Sequence, residues 1–169
     1  MVESAGGEAE FNCFGCAPMN SIGLRLVFED RGDSIAADVT LGREYESFPG
    51  VVHGGIVATI LDEVLSQAVY RSGQISVFTT GLRVRYGRPM ETGMAHVAYA
   101  EITKHDETTV RAAGRIELPD GSLVAAGDGV FYLLTEEVLD QSVFDERLTS
   151  LGTTLRPSNR LEIERTRPI

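Results

Sequence analysis

The stretch Pro49-Gly50-Val51-Val52-His53-Gly54-Gly55-Ile56-Val57-Ala58-Thr59-Ile60-Leu61-Asp62-Glu63 decides how this chain is read. A Pro-Gly turn leads into a histidine and two glycines, and an apolar pattern at helical spacing starts directly behind them. Ile56, Val57, Ile60, Leu61, Val64 and Ala68 fall on one stripe of a helix. The spacing predicts a helix from His53 to about Arg71, ended by Ser72-Gly73.

The first N–H groups of a helix have no partner inside it and lie at its positive end. Glycines at Gly54 and Gly55 let a ligand approach those groups closely, which is how an oxyanion hole is built. Two readings are open for His53: a side-chain donor to the ligand, or a loop histidine bonded to backbone. Asp62 lies nine residues further on, two and a half turns and about 13 Å along the axis, pointing to the other side. The two therefore do not serve one reacting atom within one subunit. Antiparallel helices from two subunits would bring Asp62 of one chain to the His53-Gly54-Gly55 turn of the other, giving two equivalent sites in a twofold dimer. Gly55, Ala58, Thr59, Ser66 and Val69 share the face of Asp62. They are small where a solvent face carries Lys, Glu and Arg, which points to a close neighbour; an ordinary solvated Asp62 is the rival reading.

Outward from the helix, both flanks read as strands. Leu24, Leu26 and Phe28 alternate with polar or outward positions, Arg31-Gly32-Asp33 turns, and Ile35, Ala37 and Val39 complete a hairpin. A loop from Leu41 to Val52 follows. Behind the helix, Phe78, Thr80, Leu82, Val84 and Tyr86 form one face of a strand, leaving Thr79, Gly81, Arg83 and Arg85 on the other. Further strands are expected at 94–104, 108–117 and 122–134, as an antiparallel meander. One helix against an antiparallel sheet is an α+β layer arrangement. The expected organisation is a disordered N-terminus at 1–10, one domain at 11–134, a short C-terminal helix at 135–151 and a flexible basic tail at 152–169 with Arg156, Arg160, Arg165 and Arg167.

The bulk composition narrows the function. At 169 residues and 43% hydrophobic, the chain has room for one globular core. No stretch approaches the roughly 18 to 20 apolar residues of a membrane span, and the acidic start (Glu3, Glu8, Glu10) is unlike a secretory signal, so a cytoplasmic location is expected. A net charge of −10 disfavours nucleic acid and anionic membrane as partners. Cys13-Phe14-Gly15-Cys16 excludes a disulfide framework by count, and two thiols fall short of the about four ligands of a zinc site. A structural role is the plain reading of the pair; a metal shared between subunits and redox chemistry are the others. No Gly-x-Ser-x-Gly elbow, phosphate loop, His-Glu-x-x-His or dinucleotide fingerprint is present.

His53-Gly54-Gly55 with Asp62 closely resembles the signature of hotdog-fold thioesterases, the 4-hydroxybenzoyl-CoA thioesterase superfamily in its phenylacetate-pathway-like branch. The resemblance covers about residues 11–134. Cys13-Phe14-x-Cys16 with Asn20 and Gly23-Leu24 is similar to a lead-in of that branch, and Arg83-x-Arg85-Tyr86-x-Arg88-Pro89 to its strand after the helix. The resemblance implies an antiparallel sheet wrapped around one long helix, homodimers with a shared sheet or homotetramers, and hydrolysis of acyl-CoA or carrier-protein thioesters without a metal or organic cofactor. It implies Asp62 as general base or nucleophile, a Gly54 or Gly55 N–H on the thioester carbonyl, His53 orienting that carbonyl, and Thr79 holding the water. Arg83, Arg85 and Arg88 become candidates for CoA phosphates, against surface salt bridges. Ser47 stands where some members carry Asn or Gln, which bears on how the carbonyl is held. Glu63 points about 100° from Asp62 and reads as structural. The rival functions are a non-catalytic acyl-CoA binding module and, behind it, dehydration of a hydroxyacyl thioester on the same scaffold.

Overall fold

The computed structural model of the chain describes residues 12–73 and 77–134. The segments expected as a disordered N-terminus (1–10), a helix (135–151) and a basic tail (152–169) lie outside the described residues. Strands β1 (Glu29–Arg31), β2 (Ser34–Val39), β3 (Glu46–Phe48) and β4 (Val51–Val52) precede helix α1 (Gly54–Gly73). Strands β5 (Val77–Tyr86), β6 (His96–His105), β7 (Thr109–Glu117) and β8 (Leu123–Leu133) follow it. Six strands form one antiparallel sheet in the order β1-β2-β6-β7-β8-β5, and β3-β4 form a separate small hairpin.

Val57, Ile60, Leu61, Val64, Leu65, Ala68 and Val69 of α1 are buried against that sheet. The helix can sit this close because small residues stand among the larger ones of the sheet beneath it. Ala98, Ala100, Ala112 and Ala125 are almost fully buried. A Cβ at Gly114 would stand 3.2 Å from Leu65 Cδ2 and 2.8 Å from the Tyr99 carbonyl oxygen, and one at Gly127 3.3 Å from Leu61 Cδ1. The two leucines press into the places where those side chains are missing. One long helix lying across a six-stranded antiparallel sheet is the hotdog arrangement expected from the motif.

The structure corrects the sequence reading at several points. Leu24 and Leu26 are buried but not in a strand. Arg25 between them has φ 53, a left-handed conformation that breaks an extended run. The N–H groups of Leu24 and Leu26 instead bond the carbonyls of Phe14 and Gly15, both at 2.8 Å, so this segment pairs with the lead-in. The 41–52 loop is more ordered than expected, holding a 3-10 turn at Arg43–Tyr45 and the β3-β4 hairpin. Val69 belongs to the core rather than to the Asp62 face. Strand β5 leaves the meander order and pairs with β8 at the far edge.

The largest correction concerns the two faces of β5. Its register against β8 runs Thr79↔Phe131 and then Gly81↔Val130, a bulge that places an extra residue at Thr80. The alternation therefore changes phase within the strand. Before the bulge, Val77 and Thr79 point to the helix side while Phe78 and Thr80 are exposed. After it, Leu82 and Val84 pack on the core while Arg83 and Arg85 are exposed. Thr79 thus lies on the opposite face from Arg83 and Arg85, against the unbroken alternation expected.

Candidate active site

Three elements meet around the start of α1. The His53 N–H donates to the Tyr45 carbonyl at 2.8 Å, which ties the helix start to the 3-10 turn. The His53 carbonyl accepts the N–H groups of Ile56 and Val57, beginning the helix. Its ring acts as the cap: Nδ1 accepts the Gly55 N–H at 2.9 Å. An Nδ1 that accepts leaves the proton of the neutral ring on Nε2, so His53, which is exposed, offers one N–H donor outward. The ring is thus bonded to backbone, as one reading of His53 expected, with Nε2 on its exposed side. With the Gly55 N–H engaged, Gly54 supplies the first N–H of the helix, which has no preceding turn to bond. Tyr86 donates its hydroxyl to the Gly54 carbonyl at 2.9 Å and fixes this turn from β5.

Further along the helix, Asp62 is half-buried. Thr79 Oγ1 donates to Asp62 Oδ1 at 2.9 Å. Burial pushes the Asp62 carboxyl above its ordinary range, and the Thr79 hydroxyl pulls it partly back. Gly55, Ala58, Thr59 and Ser66 beside it are exposed or half-buried and small, as the pattern anticipated. The Thr59 hydroxyl is turned back onto the Gly55 carbonyl at 2.9 Å. The flank of Asp62 therefore ends at β5, an edge strand whose partner among the described strands is β8.

Within one chain, Asp62 and Thr79 come together, and His53, Gly54 and Gly55 come together. The two groups stay about 13 Å apart along the axis, as the helix rise requires. Ser47 sits exposed in β3. Arg85 is 2.7 Å and Arg83 4.0 Å from Asp128, on the outer face of the sheet. Arg88 is exposed in the loop after β5, with its N–H on the Val124 carbonyl at 3.1 Å. Clefts of the single chain open elsewhere: one is lined by Asp30, Ala68 and Arg71, another by Arg83, Arg111 and Asp128, a third by Arg43, Pro49 and Thr92, and neither His53 nor Asp62 lines any of these three.

Two contacts escaped the sequence reading. The Tyr86–Gly54 bond joins residues 32 apart on different elements, and nothing in the local pattern announces it. The lead-in cysteines reach α1, where Cys13 Sγ donates to Glu63 Oε1 at 3.3 Å. Glu63 thus lies against the lead-in, away from the Thr79 contact of Asp62. Asn20 is buried in the same lead-in, accepting the Ile22 N–H at 3.1 Å and donating to the Asn12 carbonyl at 3.3 Å.

Comparison with known proteins agrees with this architecture. The thioesterase superfamily model matches residues 49–125, which run from the Pro-Gly turn into β8. A crystal structure described as a thioesterase superfamily protein is 30% identical with a TM-score of 0.66, over 71% of this chain and 62% of that one. The chain thus spans less than two thirds of that protein. Another structure from the thioesterase superfamily is 28% identical with a TM-score of 0.62, over 70% of this chain and 90% of that one. A Bacillus halodurans protein solved with CoA is 30% identical with a TM-score of 0.54, over 58% of this chain and 70% of that one. No curated protein matches the sequence. No described helix is long and apolar enough to cross a membrane.

Proposed function

The chain belongs to the thioesterase superfamily, and on that premise we propose that it hydrolyses an acyl-CoA-type thioester at a site shared between two subunits. The observation that carries the reading is the half-buried Asp62 carboxylate, held through one oxygen by Thr79 on a helix flank of small residues. Its other oxygen is left to take a proton from water. As the water oxygen bonds the thioester carbon, the proton passes to Asp62 and the carbonyl oxygen becomes an oxyanion. The Gly54 N–H and the His53 Nε2–H of the second subunit stabilise that oxyanion, helped by the helix dipole. Collapse of the intermediate breaks the C–S bond, and the thiolate leaves. Direct attack by Asp62, through an anhydride that water then opens, uses the same residues.

Hydrolysis by these residues calls for a dimer, since Asp62 and His53 of one helix lie about 13 Å apart along the axis and do not reach one carbonyl. The β5 edge beside Thr79 offers a second copy a strand to pair with, and its own α1 would then run antiparallel to the first. The CoA bound to the Bacillus halodurans relative supports a CoA thioester as substrate. Of the three arginines, Arg88 is the one we place against CoA phosphates, because Arg83 and Arg85 face Asp128. A cytosolic setting, where acyl-CoA is made and used, fits this chemistry.

The direct test incubates the purified protein with short, long and aromatic acyl-CoAs and follows thiol release with a chromogenic disulfide reagent. Release from at least one class is expected. Tight binding of acyl-CoA with no release from any member, and none from carrier-protein thioesters, would replace hydrolysis with the binding-module reading.

A further inference from the structure

The lead-in turn closes on the middle of α1 and brings three metal-ligand groups together. The ligand atoms of Cys13, Cys16 and Glu63 all lie within 4.8 Å of one another. Cys13 Sγ stands 3.3 Å from Glu63 Oε1. In a zinc site, thiolates at about 2.3 Å and a carboxylate oxygen at about 2.0–2.2 Å place tetrahedral ligand atoms about 3.5–3.8 Å apart. The upper spacing of 4.8 Å exceeds that range by about 1 Å.

Two backbone features build the cluster rather than merely permit it. The Gly15 N–H donates to Cys13 Sγ at 3.3 Å, a bond that offsets charge on a thiolate. The Ala17 N–H donates to the Cys13 carbonyl at 3.1 Å and closes the turn that holds both sulfurs on the Glu63 side. Between the cysteines, a Cβ at Gly15 would overlap the Glu63 carboxyl, so a glycine is what lets the turn lie against the helix. The Cys-x-x-Cys pair alone is two ligands short of a zinc site; the fold supplies a third from a residue 50 positions away.

We propose that Cys13, Cys16 and Glu63 form a divalent-metal site suited to zinc, with water in the fourth position, that staples the lead-in segment to α1. Thiolate sulfur selects zinc over magnesium or calcium, which take oxygen ligands. Binding releases the two thiol protons to solvent, and the dication offsets most of the charge of two thiolates and a carboxylate. The role is structural and independent of the hydrolysis reading, because these side chains are not the ones assigned to the thioester.

The test titrates the full-length, metal-free protein with Co2+ under a phosphine reductant and then displaces the cobalt with Zn2+. Expected are one cobalt per chain, thiolate-to-cobalt charge-transfer absorption in the near ultraviolet, and a rise in Tm on adding Zn2+. The absorption is lost in Cys13→Ser and weakened in Glu63→Gln, while circular dichroism of each metal-free variant matches that of the metal-free parent. Absence of the charge-transfer band in the parent protein, or a band and Tm rise unchanged in both variants, would overturn the proposal. So would a Cys13–Cys16 disulfide that forms in air equally fast with and without saturating Zn2+.

Discussion

Thr79 donates its hydroxyl hydrogen to Asp62 at 2.9 Å because β5 bulges just after it. Without the extra residue at Thr80, the alternation that seats Leu82 and Val84 on the core would turn Thr79 outward. The bulge therefore aims one hydroxyl at the one acidic residue on the small-residue flank of α1.

Removing that hydroxyl tests its role. A hydrogen bond to a charged acceptor contributes about 1.5–3 kcal/mol, so Thr79→Val is expected to lower kcat by about 10- to 100-fold. Thr79→Ser, which keeps the donor, is expected to retain most of the activity. Steady-state kinetics of the pair, alongside matching Tm values, check this; equal rates for both variants would show that the Asp62–Thr79 bond does not matter for turnover.

The close seating of α1 makes a second prediction. A Cβ at Gly114 meets the Tyr99 carbonyl at 2.8 Å and Leu65 at 3.2 Å, and a backbone atom cannot rotate away. Gly114→Ala is expected to destabilise the fold by about 1–3 kcal/mol, the cost of overpacking a dense core. Chemical denaturation measures it. Gly32, which has open space around its Cβ position, is an inferior control because its φ of 69 penalises any side chain; Gly81, with open space and no such φ, is the better one.

A third prediction concerns pH. His96 is buried, with Nδ1 3.0 Å from the Met94 carbonyl, so Nδ1 carries the proton and the buried Nε2 has no partner among the described residues. Burial lowers its pKa from 6.5, with the Met94 bond and the charge of Glu91 opposing. The unfolded chain therefore takes up a proton at this histidine before the native one does. The resulting stability is present in full above pH 6.5 and is lost as pH falls from there through the lowered native value. Each pH unit in that window costs at most about 1.4 kcal/mol. In His96→Leu, denaturation curves between about pH 7 and about pH 5 should show a weaker fall in stability than the parent; identical slopes would remove His96 as the cause.

A fourth follows from charge pairing. Arg85 and Arg83 already face Asp128, whereas Arg88 has no ion-pair partner within salt-bridge distance among the described residues. Arg88→Ala should raise KM for CoA thioesters by about three- to tenfold with little change in kcat, the scale of one exposed phosphate contact. Arg85→Ala should change KM less. The reverse ranking would move the phosphate contact to the sheet face.

Much of this was legible before the fold was known, and the exceptions share a physical cause. The stripe from Ile56 to Ala68 announced α1, and β6, β7 and β8 fall within about two residues of their expected limits, because periodic burial leaves a periodic sequence. The Asp62 face was readable as unusual because its neighbours are small. What stayed hidden depends on single backbone events or on long-range contact. The left-handed Arg25 breaks a run that alternates well on paper. The bulge at Thr80 looks like an ordinary strand position. Cys13 and Glu63 meet across 50 residues, so the cysteines read alone as an incomplete ligand set.

The central claim is that the Asp62 carboxylate drives thioester cleavage, and the most direct measurement is kcat of Asp62→Asn on the best acyl-CoA from the panel. The substitution keeps shape and the ability to accept from Thr79, and removes the charge. A loss of about 100-fold or more, with acyl-CoA binding and Tm preserved, is the expected result. Activity within about threefold of the parent would contradict the account and take Asp62 out of the chemistry.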